Sequence, residues 1–92
     1  MITIHNTVTN EVGLHARPAS VFVQNANKFK SNIEIKNLTT GKGPVNAKSI
    51  LSLLSLAVAN NNEVEITFDG EDEVEASLKL GELLDTDFEG YL

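Results

Sequence analysis

Three short segments of this chain alternate apolar and polar residues one by one, and this pattern limits the fold more than anything else in the sequence. Ile2, Ile4 and Val8 alternate with Thr3, His5, Thr7 and Thr9; Ile33 and Ile35 alternate with Glu34 and Lys36; Val64, Ile66 and Phe68 alternate with Glu65 and Thr67. A period of two belongs to a strand with one buried face and one wet face. A sheet of such strands is covered on one side only, and His5 points to the uncovered side.

The intervening segments change period. Ala19, Phe22, Val23, Ala26 and Phe29 recur as one helical stripe, which predicts a helix from about Ala16 to Asn27. Thr39-Thr40-Gly41-Lys42-Gly43-Pro44 reads as a turn and Val45-Asn46-Ala47 as a strand stub, forming a hairpin with the strand around Ile33–Lys36. Ser49 precedes Ile50, Leu51, Leu53 and Leu54 as the N-cap of a short helix. After the Asn60-Asn61-Asn62 turn and the strand ended by Asp69-Gly70, a last helix starts near Asp72. Val74, Leu78 and Leu84 are read as its stripe, with Ala76, Leu80 and Leu83 beside it. Residues 85–92 are expected to be a loose tail. The order βαββαβα predicts an α+β fold, a four-stranded antiparallel sheet with three helices on one face.

Composition narrows the partners. Ninety-two residues with 41% hydrophobic content suffice for one domain, 1–92, around one modest core. No cysteine is present, so disulfides and thiol chemistry are excluded, and two histidines without cysteine make a structural zinc site improbable. A formal charge of −6 argues against nucleic acid or an anionic membrane as a partner and favours a cationic protein. No apolar run spans a bilayer, and Met1-Ile2-Thr3-Ile4-His5 lacks the features of a secretion signal, so a cytoplasmic location is expected.

The chemistry concentrates in Gly13-Leu14-His15-Ala16-Arg17-Pro18-Ala19. With His15 near the N-cap, Pro18 falls in the first helical turn, where a missing N–H costs nothing. The backbone N–H groups of Ala16 and Arg17 stay free, and with the positive end of the helix dipole they favour an anion. The Arg17 guanidinium adds charge-assisted hydrogen bonds to phosphate oxygens, while His15 supplies a nucleophilic nitrogen. Gly13 gives the preceding turn its backbone freedom.

This segment resembles the active-site signature of HPr, the histidine-containing phosphocarrier family of the bacterial sugar phosphotransferase system. The resemblance extends over nearly the whole chain. It implies an open-faced β-sandwich and a relay in which Nδ1 of His15 takes a phosphoryl group from Enzyme I and a IIA protein then removes it. It implies a monomeric carrier, not an enzyme, with no metal or organic cofactor. Val45-Asn46-Ala47-Lys48-Ser49-Ile50-Leu51 is similar to the region in which some members carry a regulatory serine. Ser49 would then be the target of an HPr kinase/phosphorylase, with a catabolite-control repressor as a further partner, and Ile50, Leu51 and Leu54 would dock Enzyme I and IIA proteins. Two other readings share these residues: a regulatory binding protein acting through phospho-Ser49, and a specialised phosphotransfer branch using the same His15 chemistry. The chain departs from the family pattern at Val12, where a small polar residue is common, at Ala57, where Gly commonly follows the short helix, and in a longer 38–44 turn.

Overall fold

A computed structural model describes residues 1–92. The alternating segments become strands β1 (Ile2–Thr7), β2 (Asn32–Asn37), β3 (Val45–Asn46) and β4 (Glu63–Asp69). Helices α1 (Ala16–Ala26), α2 (Ile50–Ser55) and α3 (Glu73–Asp85) complete the βαββαβα order. The strands pair antiparallel in the order β1-β4-β2-β3, so the last strand is inserted between the first two. β2 and β3 form the expected hairpin.

Register converts the alternation into two chemically distinct faces. Ile66 lies opposite Ile4 on one side and Ile35 on the other, and Phe68 lies opposite Ile2 and Ile33. These inward rows pack under the helices, with Phe22, Leu53, Leu80 and Leu83 buried above them. On the open face Glu65 stands between His5 and Lys36, with its carboxylate 2.9 Å from His5 Nε2. Two inward positions are polar: Asn6, opposite Val64, whose amide reaches Asp85 on α3, and the fully buried Asn37. The Asn37 amide donates to the Leu56 carbonyl and to Asn62 Oδ1, and its own Oδ1 accepts from the Thr39 and Thr40 N–H groups. A buried amide satisfied this way organises the 38–44 turn without leaving a polar group unpaired.

Two expectations are corrected. In α3 the buried stripe is Ala76, Leu80, Leu83 and Leu84, whereas Val74 and Leu78 face water, Leu78 with 69% of its surface exposed. The i, i+4, i+7, i+8 spacing of the first set is the one that keeps a single phase. The C-terminal residues are not a loose tail either. Phe88 is 1% exposed and belongs to the core, its N–H donates to Leu83 at 2.7 Å, and Lys79 Nζ donates to Tyr91 Oη at 2.6 Å. The polar residues around Phe88 concealed one aromatic whose burial is worth about 3 kcal/mol. That gain offsets the left-handed torsions of Asp87 and Phe88 (φ 51° and 60°), which cost roughly 1–2 kcal/mol each and fold the chain back.

Asp72 starts α3 as expected, yet its carboxylate does not cap the helix. It reaches across to the turn before β2 and accepts from the Lys30 N–H at 2.8 Å, the Ser31 N–H at 2.9 Å and the Ser31 hydroxyl. The Ser31 hydroxyl, and after it the Lys30 N–H, hold the Asp72 carboxyl below the usual carboxylate range.

Two tests follow from this packing. Phe88→Ala should destabilise the domain by about 3–5 kcal/mol in denaturant titration, and a loss under about 1 kcal/mol would show that the tail is not part of the core. Because folding depresses the Asp72 pKa, the stability it contributes is complete above its unfolded value near 3.8 and disappears as pH falls through the lower folded value. Asp72→Asn should therefore flatten the acid limb of a Tm-against-pH curve, and an unchanged limb would contradict the assignment.

Candidate functional site

The loop joining β1 to α1 brings His15 to the helix start, and Gly13 explains its path. At φ 71° Gly13 occupies the left-handed region, and a Cβ there would lie 2.1 Å from the Val58 carbonyl oxygen, so only glycine fits. The next N–H, that of Leu14, donates to the same carbonyl at 3.0 Å, and the Leu14 side chain is buried. The loop is thus laid against residues 58–62. The chain then emerges at His15, the N-cap of α1, in extended conformation (φ −133°, ψ 168°) and half-buried.

The first turn of α1 is open toward solvent. Neither the Ala16 nor the Arg17 N–H donates to any group of the protein, and Pro18 has none to donate. No acidic residue lies in that turn, and Arg17 is exposed and forms no ion pair. Ala16, the first residue of this turn, has a left-handed φ of 52°. Undonated N–H groups, a helix N-terminus and an exposed, unpaired Arg17 follow His15 directly in the chain, a combination that favours an anion. A cleft beside Ala16 and Arg17 is also lined by Glu11, Val12, Pro18 and Asp87, so the C-terminal segment borders the first turn of α1 and two carboxylates share the cleft with Arg17.

The second cluster lies on α2, which packs against α1. Ser49 is its N-cap, and the side-chain oxygen accepts from the Ser52 N–H at 3.3 Å. Leu53 is fully buried, whereas Ile50, Leu51 and Leu54 are exposed by 38%, 78% and 37%. One turn and a half of helix has a single inward position, and its other large aliphatic residues are left outside. Lys48 Nζ is tied back to α1, donating to the Phe29 carbonyl at 2.7 Å just beyond the C-terminal end of that helix. Ala57 follows the helix at φ 51°. The position therefore does require the left-handed conformation for which glycine is suited.

A family model described as the PTS HPr component phosphorylation site matches residues 2–86. Over 70 residues the chain is 51% identical to the HPr-like protein Crh of Bacillus subtilis, covering 76% of this chain and 79% of that protein. Over 82 residues it is 43% identical to the phosphocarrier protein HPr of Xylella fastidiosa, covering 89% of each. Among solved structures it is similar to HPr-C-His from Thermoanaerobacter tengcongensis, with a TM-score of 0.91, 40% identity and full coverage of both chains. It is also similar to an HPr dimer from the same organism, with a TM-score of 0.74 and 43% identity over 88% of this chain and 90% of that one. The family that this match and these relatives define is one of small phosphocarrier domains that are not enzymes. The chain belongs to the HPr family of phosphocarrier proteins of the phosphotransferase system.

Relief of the torsion at Ala57 is directly measurable. Ala57→Gly should stabilise the domain by about 0.5–1 kcal/mol, the left-handed strain removed less the extra chain entropy of glycine. A destabilised variant would show that the Ala methyl is held by favourable contacts.

Proposed function

We propose that His15 accepts a phosphoryl group from the phosphohistidine of Enzyme I and passes it to a histidine of a IIA protein. The observation that carries this reading is the position of His15 at an N-cap beside two unused N–H groups and an unpaired Arg17. In the forward step a His15 ring nitrogen donates its lone pair to phosphorus. The N–P bond of the donor breaks, and its electron pair returns to the donor imidazole. No water is consumed, and the same displacement then repeats with His15 as donor: the IIA histidine nitrogen bonds to phosphorus and the His15 N–P bond breaks, its electron pair returning to the His15 imidazole. Such in-line transfer needs positioning and charge stabilisation more than covalent help from the protein. The Ala16 and Arg17 N–H groups and the Arg17 guanidinium supply these. One exposed arginine is a moderate grip, which suits a carrier that must release its cargo. No metal or organic cofactor takes part in this scheme.

The exposed Ile50, Leu51 and Leu54 form the docking face for Enzyme I and IIA proteins, since apolar residues rimmed by polar ones favour association. Ser49 lies at the start of the same helix, so a phosphate added there by an ATP-dependent HPr kinase/phosphorylase would stand at that face. A helix N-terminus tolerates the added charge, and the effect falls on partners rather than on folding. Recognition of phospho-Ser49 by a catabolite-control repressor is the second reading, favoured by the 51% identity with Crh. We place the protein in the cytoplasm, acting as a monomer during transfer.

Intact-mass analysis after incubation with Enzyme I, magnesium and phosphoenolpyruvate tests the first reading. One acid-labile phosphate is expected on the wild type and none on His15→Ala, which should remain folded. Arg17→Ala should slow transfer by about 10–100-fold, in line with loss of one charge-stabilising donor. Ser49→Asp should stay folded yet couple less well to Enzyme I. Absence of phosphate on the wild type, with an Enzyme I shown to be active, would leave the regulatory reading through Ser49.

A further inference from the structure

The geometry points to Asn60 as a positioning residue for His15, acting by fixing the loop that precedes it. The inference rests on the reading of His15 as the phosphoryl acceptor.

The imidazole of His15 has no side-chain hydrogen-bond partner, so its direction depends on the backbone that delivers it. That backbone is anchored at two ends. Val8 exchanges hydrogen bonds with Asn61 and Asn62, and Leu14 donates to Val58. Between these anchors, residues 9–13 form no secondary structure beyond a turn. Their own hydrogen bonds are local: the Gly13 N–H donates to the Asn10 carbonyl, and the Val12 N–H donates to Asn10 Oδ1. Asn60 contributes the one side chain from outside that bonds this stretch. Its Nδ2 donates to the Thr9 carbonyl at 3.1 Å and to the Asn10 carbonyl at 3.2 Å.

The demand for such a clamp is visible in the torsions. Gly13 and Ala16 both have positive φ on either side of His15, and an Ala in that region costs roughly 1–2 kcal/mol. Strained conformations persist only where the surroundings over-determine them. Without Asn60 the Thr9 carbonyl turns to water and the Asn10 carbonyl keeps only its local bond from the Gly13 N–H, so the peptide planes leading to Gly13 lose their one side-chain anchor from outside the loop. The side chain suits this task and no other evident one: Asn60 is exposed and contributes nothing to the core, so its two bonds serve the loop alone.

The test compares Asn60→Ala, Asn60→Asp and the shorter Asn60→Ser with Ser31→Ala, which removes a hydrogen bond to Asp72 at the other end of α1. With Enzyme I and phosphoenolpyruvate, Asn60→Ala should keep KM for the carrier within about twofold and lower kcat by about tenfold, as small misplacements of a reacting group do. Asn60→Asp should be slower still, because a carboxylate would face two carbonyl oxygens. The His15 ring resonances and the Val12–Leu14 amide resonances should shift in all three Asn60 variants and not in Ser31→Ala. Wild-type kcat with unchanged His15 resonances in folded Asn60 variants would overturn the proposal, as would an equal kcat loss in Ser31→Ala. If wild type accepts no phosphate, the carrier reading fails separately. Asn60 is then decided by the His15 and loop resonances alone, and unchanged resonances reject it.

Discussion

Everything in this molecule depends on the burial of one side of β4. Val64, Ile66 and Phe68 have no exposed surface, and each is flanked on both sides by a neighbouring strand. Burying three such side chains is worth about 5–9 kcal/mol before entropy is charged, comparable to the net stability of a small domain. The central place of β4 also sets the topology. β1 and β2 each need it as a partner, so the chain leaves β1, crosses the sheet as α1 and returns as β2 on the far side. The start of α1 and the loop that carries His15 are by-products of that crossing.

The site is built at an edge of this scaffold from backbone more than from side chains. Gly13 is pressed against the Val58 carbonyl, Leu14 is buried below it, and the His15 imidazole is left without a hydrogen-bond partner of its own. This arrangement fits the proposed role, in which the imidazole forms a bond to phosphorus and then loses it. In the proposed transfer, the two undonated N–H groups and the exposed Arg17 guanidinium would stabilise charge, while strong multidentate binding would trap the phosphorylated form. On α2, the same shortness that buries only Leu53 leaves Leu51 in water, so an exposed apolar face arises from a helix too brief to turn all its aliphatic residues inward.

How much of this was legible in the residues varied with the kind of signal. Strands with strict alternation, the α1 stripe and the Ser49 cap were readable because period and capping chemistry are local. The His15 segment was readable because nucleophile, cation and helix start are adjacent in the chain. The α3 phase was misread because Val74 and Leu78 are apolar at helical spacing and only contact with the sheet distinguishes them from Ala76 and Leu80. Phe88 was missed since one aromatic among polar residues carries no period. Asn37, Asp72 and Asn60 were missed because each acts on backbone far away in sequence, and an asparagine or aspartate in a turn gives no sign of a distant partner.

The sequence by itself determined the elements, their order, the two-faced character of the sheet and the chemical capacity of His15 with Arg17, all of which follow from side-chain type and short-range spacing. Only the tertiary structure decided that β4 lies between β1 and β2, that the tail closes over the core through Phe88, and that the loop before His15 is held by residues 58–62. Those outcomes turn on contacts between segments tens of residues apart. Their energies depend on which surfaces the packed sheet brings together, and no local pattern encodes that.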